Sequence, residues 1–269
     1  MKSLHFISGL PRAGSTLLGA LLRQNPRFLA GMSSPVAGLV GSMLGEMSGR
    51  SEFSVFIDDP GRQRVLQAII ESYYATASAK VIFDTNRAWC SRMGLIKTIY
   101  PDAKVIACVR HMPWIIDSIE RLIRRNAFQP SSIFNYSPGG TVYSRAEGMA
   151  SGEGMVGYAY NALKEAFFGP HAQQLMLVQY ETLSSDPAKV LTAIYEFIGE
   201  KTFAHDFAHV QFDATAFDQK AGTPGLHTVR PKVHATKRET ILPPDVFRRF
   251  ENDAFWRDPA LNKRRVRVV

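Results

Sequence analysis

The residues best placed to do chemistry are Gly9-Leu10-Pro11-Arg12-Ala13-Gly14-Ser15-Thr16-Leu17-Leu18. Two glycines let the backbone turn its amides inward, and a helix start directly after them adds unpaired N–H groups and a positive dipole end. Together these can hold a phosphate-like anion. The spacing is that of a Walker A loop, whose glycines bracket four residues, but Ser15 stands where the loop's lysine belongs. A nucleoside-triphosphate enzyme needs that lysine on the β- and γ-phosphates. The nearby cation is Arg12, inside the loop, and a guanidinium fork can bind two oxygens of one oxyanion. A plain connecting turn is the alternative; the coincidence of turn, helix start, hydroxyl pair (Ser15, Thr16) and arginine argues against it.

Three further segments could complete an anion site. In Val109-Arg110-His111-Met112-Pro113-Trp114-Ile115-Ile116-Asp117-Ser118 an arginine ends an apolar run and a serine follows eight residues on. Both can point at one phosphate at the top of a sheet. Tyr180, at the end of another apolar run, can stack or hydrogen-bond, or simply pack in the core. Leu226-His227-Thr228-Val229-Arg230-Pro231-Lys232 offers two late cations, Arg230 and Lys232.

Residues 9–18 resemble the 5′-phosphosulfate loop of sulfotransferases that use 3′-phosphoadenosine 5′-phosphosulfate, nearest the tyrosylprotein branch and its bacterial relatives. The likeness runs in order over most of residues 6–199 and thins beyond. It implies a P-loop-like fold and transfer of a sulfuryl group to an acceptor hydroxyl, with adenosine 3′,5′-bisphosphate as product and no metal. It places Arg12, Ala13, Gly14, Ser15, Thr16 and Leu17 on the donor's 5′ end. Arg110 and Ser118 fall on its 3′-phosphate, Tyr180 on the nucleotide, and Arg230 and Lys232 in a loop closing over it. Two departures concern catalysis. No carboxylate stands at Gly31-Met32-Ser33-Ser34, where the tyrosylprotein branch has its glutamate, and Phe83 occupies the place of a lysine. Asp84 is therefore the candidate base beside a catalytic Arg12, with Glu46 and His227 as other substitutes and Arg87 as a substitute cation. A helix cap or turn carboxylate is the other reading of Asp84.

These residues need rigid elements beneath them. Apolar, β-rich runs at residues 4–7, 81–83, 104–109 and 175–180 predict strands. Helical spacing predicts helices over residues 17–22, 36–47, 65–77, 90–100, 115–123, 158–168 and 187–198, and a last one near 245–252. Strands alternating with helices imply an α/β, P-loop-like three-layer fold with a central parallel sheet flanked by helices. One sulfotransferase-like domain over residues 1–269 is expected. Residues 28–34 read as a connection, 128–157 as a loop or lid, and the basic tail 258–269 as a frayed end. The string Gly152-Glu153-Gly154-Met155-Val156-Gly157 matches a dinucleotide fingerprint, but no strand precedes it.

Composition bounds the rest. Hydrophobic residues make up 45% and charged residues 21% of the 269, which suits a folded body and argues against disorder. The net charge of +8 is spread along the chain and suits an anionic nucleotide co-substrate, so no nucleic acid is expected. Lys2 and the apolar residues after it imitate a signal peptide until Pro11 and Arg12 interrupt, and no stretch is long enough to span a bilayer, so a cytoplasmic place is expected. His205 and His209 lack a third ligand for a metal. A kinase with a reassigned lysine, and a non-catalytic nucleotide- or nucleic-acid-binding module, remain as alternatives.

Overall fold

The structure, a computed structural model, describes residues 2–49, 51–129, 131 and 140–269. Its centre is β1 (Ser3–Gly9), which pairs in parallel with β3 (Val81–Thr85) on one side and β4 (Val105–Val109) on the other. With β2 (Phe28–Ala30), β5 (Leu175–Gln179) and β6 (Arg267–Val268) the sheet runs β2-β3-β1-β4-β5-β6, parallel throughout. Every residue of β3 and β4 is buried, as a sheet covered on both faces requires. The chain leaves β1 toward β2 and β3, and leaves β4 toward β5 and β6. This reversal makes the crevice beyond β1 and β4 the switch point where ligands bind in open α/β sheets. Register aligns the two strand ends, Gly9 lying opposite Cys108.

The helices are α1 (Ser15–Leu22), α2 (Val36–Glu46), α3 (Asp59–Tyr73), α4 (Met93–Ile99), α5 (Met112–Arg125) and α6 (Val142–Ala150). After them come α7 (Met155–Phe168), α8 (Tyr180–Ser185), α9 (Pro187–Ile198), α10 (Thr215–Lys220) and α11 (Pro244–Arg249). Their ends follow from sequence. Asp186 accepts from the Lys189 amide at 3.1 Å ahead of Pro187, and Gly199 closes α9 at φ +72°. α5 buries Ile115, Ile116, Ile119, Leu122 and Ile123 against the core. None of the helices among the described residues is long and apolar enough to cross a membrane.

Several expectations change. Residues 28–30, read as a connection, form the edge strand β2. The basic tail is not frayed: β6 pairs with β5, Val266 is buried, and the Val269 carbonyl accepts from the Gln179 amide at 2.8 Å. Within the expected loop at 128–157, α6 forms behind a capping box at Thr141, while 130 and 132–139 lie outside the described residues. The rejected glycine string has a packing cause, since a Cβ on Gly154 would sit 2.1 Å from the Gly148 carbonyl and one on Gly157 1.9 Å from that of Ser151.

Candidate active site

The turn after β1 is built for close approach. Gly9 has φ +104°, and a Cβ there would lie 2.2 Å from the Cys108 carbonyl oxygen, which accepts from the Leu10 amide at 2.8 Å. Gly14 has φ +95°, and a Cβ there would meet the Tyr180 ring at 2.9 Å. Between them Arg12 sits at φ +58°, a left-handed conformation that costs a side-chain-bearing residue about 1–2 kcal/mol. Strain of this kind persists where the surroundings over-determine it. α1 begins at Ser15 with no side chain capping it, so its first-turn amides are open to an anion.

Around this loop three guanidinium groups converge. Arg12 donates from Nε to Ser118 Oγ at 3.1 Å and also to the Leu226 carbonyl. Arg110 donates to the Arg12 carbonyl at 3.1 Å and stacks 4.2 Å from the centre of the Tyr180 ring. Among the described residues neither has a carboxylate within ion-pair distance. Burial, then repulsion from Arg110, pulls the Arg12 pKa down to about 10, and burial also lowers that of Arg110. Arg238 adds to the repulsion on both while pairing with Asp117 at 2.6 Å. A cluster of like charge in which two of the three guanidinium groups have, among the described residues, no carboxylate within ion-pair distance is a site that a bound anion stabilises.

Asp117 fixes this arrangement. Its carboxylate is completely buried and accepts from Arg121 at 2.9 Å, Thr240 at 3.1 Å and the Ile241 amide at 2.9 Å, as well as from Arg238. Segment 238–241 is thereby strapped onto α5 next to Ser118.

The sequence-derived candidates distribute unevenly. Arg12, Ala13, Gly14, Ser15, Thr16 and Leu17 form the loop and the first turn of α1, with Arg110, Ser118 and Tyr180 beside them. Arg230 and Lys232 do not join them: both are exposed, Arg230 donates to Thr236 at 2.9 Å, and neither bonds the loop, Arg110 or Ser118. Arg238, farther along the chain, lies close enough to repel Arg12 and Arg110 and is in turn repelled by Arg230, and its pairing with Asp117 fixes it against α5.

Asp84 does not face the crevice. It has no exposed surface; its oxygens accept from Ser34 at 2.6 Å, Tyr74 at 2.6 Å and Trp89 Nε1 at 2.7 Å. Burial raises its pKa against those three bonds. It ties β3 to its surroundings, with both oxygens engaged and no surface open to the crevice. Glu46 is exposed at the far end of α2, roughly 15 Å along that helix from its start. His205 pairs with Tyr195 at 3.0 Å and His209 with Asp206 at 2.8 Å, so the two do not converge.

His227 is placed differently. Its neighbour Leu226 is held by Arg12, its Nδ1 lies 2.6 Å from Asp218 Oδ1, and its amide donates to Asp218 Oδ2 at 2.8 Å. Asp218 is buried. Burial, Arg12 and Arg87 lower the imidazole pKa while Asp218 opposes them. Arg87 follows β3 on a 3₁₀ turn (Arg87–Arg92); its side chain is exposed, and partial desolvation lowers its pKa from the ordinary value.

Comparison with known proteins agrees with this fold. Among solved structures the chain is similar to the sulfotransferase domain from the curacin biosynthetic pathway, at 16% identity and a TM-score of 0.52, over 79% of each chain. It is also similar to a sulfotransferase from Alicyclobacillus acidocaldarius, at 14% identity and a TM-score of 0.51, over 82% of this chain and 92% of that one. At such identities the likeness concerns the fold. No curated relative matches. The model of the sulfotransferase family matches residues 5–204, which takes in every strand but the last, the loop after β1, Arg110, Ser118 and Tyr180. The chain belongs to the sulfotransferase family.

Proposed function

We propose that this sulfotransferase draws on 3′-phosphoadenosine 5′-phosphosulfate and passes the sulfuryl group to an acceptor hydroxyl. One observation carries the reading: Arg12 and Arg110, both without carboxylate partners among the described residues, flank the switch point, one in the glycine loop and one at the end of β4. That gives two anion-binding stations a short distance apart, matching a donor charged at its 5′ and 3′ ends. Bound there, the donor supplies the sulfuryl group and a leaving phosphate.

The chain's residues divide the work. The loop amides, Arg12, Ser15 and Thr16 hold the 5′ end and stabilise the negative charge that develops on the leaving oxygen, as preorganised donors do in phosphoryl transfer. Arg110, Ser118 and Arg238 hold the 3′-phosphate, Arg238 replacing the role expected of Arg230 and Lys232. Tyr180 supports the Arg110 guanidinium through its ring. Arg87 faces the acceptor side as a further cation. Asp84 serves the fold, not the proton transfer. The buried free thiols of Cys90 and Cys108 suit a reducing compartment, and we place the enzyme in the cytoplasm as one domain.

Calorimetry with adenosine 3′,5′-bisphosphate, adenosine 5′-phosphosulfate and magnesium ATP tests the donor. The bisphosphate is expected to bind tightly and ATP weakly. Arg110→Ala should cost the bisphosphate about 1.5–3 kcal/mol, a lost charge-assisted hydrogen bond, and leave adenosine 5′-phosphosulfate, which lacks the 3′-phosphate, nearly unchanged. Equal losses for the two ligands, or ATP binding best, would overturn the assignment.

A further inference from the structure

We infer that His227 is the general base of the transfer, oriented by Asp218, and that the cavity beside this pair seats a sugar-sized, uncharged polyhydroxyl acceptor. The inference rests on the donor reading above.

Placement comes first. The residue before His227 is fastened to the glycine loop through the Arg12–Leu226 bond, and the imidazole is fastened to α10 through Asp218. Two anchors from different elements fix one ring between the donor loop and α10. With Nδ1–H engaged by the Asp218 carboxylate, Nε2 is the basic nitrogen. The groups that face the imidazole are Asp218 on α10, Arg12 on the glycine loop and Arg87 after β3, and the Phe217 ring lies 5.5 Å away at a steep angle. Burial first, and then Arg12 and Arg87, favour the neutral form that a base must have, while Asp218 stabilises the cation formed on proton uptake.

The cavity lies on this pair. It has a volume of about 190 Å³ and is walled by His227 and Asp218, with Phe212 and Val229 as apolar surfaces and Thr215 and Gln219 as polar ones. A dry cavity of about 150 Å³ holds benzene, so this one takes a single ring-sized unit. Hydroxyl and amide groups beside an aromatic face match a ring that is apolar on its faces and hydroxylated at its edge. Asp213, also on the wall, disfavours an anionic acceptor.

In the step, the acceptor O–H gives its proton to His227 Nε2 while its oxygen forms a bond to sulfur. The bond from sulfur to the 5′-phosphate oxygen breaks, and its electron pair stays on that oxygen beside Arg12. The imidazolium, held by Asp218, later returns the proton to solvent.

His227→Gln and His227→Ala should each bind adenosine 3′,5′-bisphosphate like the wild type and lose about 10²–10⁴-fold in turnover. Bisphosphate binding also reports that each variant is folded. NMR titration of the wild type should show the His227 pKa rising when the bisphosphate offsets the charge of Arg12. Asp218→Asn should lower that pKa and move the acidic limb of the kcat/KM profile to lower pH. Among methyl glycosides of several hexoses, phenol and hexanol, at least one glycoside should exceed the other two by about tenfold or more, since a polar site rejects acceptors that leave its groups unpaired. A His227→Gln enzyme with near-normal turnover, or a His227 resonance indifferent to bound bisphosphate, overturns the base. Phenol or hexanol as the best acceptor, or no glycoside turned over, overturns the acceptor class. Failure of the wild type to bind the bisphosphate at all is a different result and refutes the donor reading.

Discussion

Asp84 separates a structural carboxylate from a catalytic one, and two substitutions read it out. Asp84→Ala removes an acceptor from three donors. Trp89 has no exposed surface, so its stranded N–H carries the full orphan cost of about 1–3 kcal/mol. Ser34 and Tyr74 are half-buried and can turn to water in the vacated space, losing about 0.5–1.5 kcal/mol each. Against this, the wild type bears the cost of a desolvated charge, which is why burial raises the carboxyl pKa. The net loss should be about 2–4 kcal/mol, a fall in Tm of roughly 5–10 °C for a protein of this size. Asp84→Asn keeps an oxygen for Trp89 and offers its amide to the two hydroxyl oxygens, so it should hold its Tm and its turnover. The sign with pH follows. A carboxyl whose folded pKa is raised stabilises below that pKa and loses the contribution as pH rises through it, so Asp84→Asn should gain on the wild type from acidic to neutral pH. Differential scanning calorimetry between pH 4 and 8, with turnover on the same samples, measures all of this. Folded Asp84→Asn with turnover reduced 10²-fold or more would restore Asp84 as the base, and an Asp84→Ala Tm equal to the wild type would refute the hydrogen-bond ledger.

His5 is buried in β1, accepts from the Lys104 amide at 3.2 Å, and has its pKa pulled down to about 4 by burial and then by Lys104. The unfolded chain takes up that proton near pH 6.5 and the folded one resists, so stability should fall by about 3 kcal/mol between those limits; urea unfolding of His5→Gln should show most of that slope gone. Arg238→Ala should weaken bisphosphate binding at least tenfold, about 1.4 kcal/mol, whereas Arg230→Ala should leave it within twofold by the same calorimetry, and the reverse order would restore the original pair. Deleting residues 266–269 removes buried Val266 and the hydrogen bonds along β5, for an expected loss of about 2–4 kcal/mol, with aggregation through the bared edge visible in light scattering.

What could be read from the sequence was local. A strand, a glycine turn and a helix start within residues 3–22 state the anion loop in one continuous segment, and the spacing from Arg110 to Ser118 places both on one strand end and the helix after it. β4 was legible because a strand buried on both faces must be apolar throughout. β2 was not, since three residues are too few to show a period, and β6 was hidden because its arginine and valine alternate in a basic tail. The roles of Asp84 and Arg238 depend on partners brought close by the fold: Ser34, Tyr74 and Trp89 in one case, Asp117 in the other. A carboxylate at a strand end looks the same in sequence whether it meets solvent or a tryptophan N–H. Nor does spacing separate Arg230 and Lys232 from Arg238; the buried acid that selects Arg238 sits on α5.

The bond from Arg12 to Leu226 spans 214 residues of chain, and that separation orders events during synthesis. At about 5–20 residues per second, the glycine loop waits roughly 10–40 s on the ribosome for the carbonyl that will hold its arginine. For roughly the second half of that interval the loop, Arg110 and Ser118 exist without Arg238, without His227 and without β6. A chain cut short before Leu226 can therefore carry five of the six strands and still lack the carbonyl that holds Arg12. The contact that fastens the Arg12 side chain can form only after Leu226 has been made, so the glycine turn takes its shape well before its arginine is held in place.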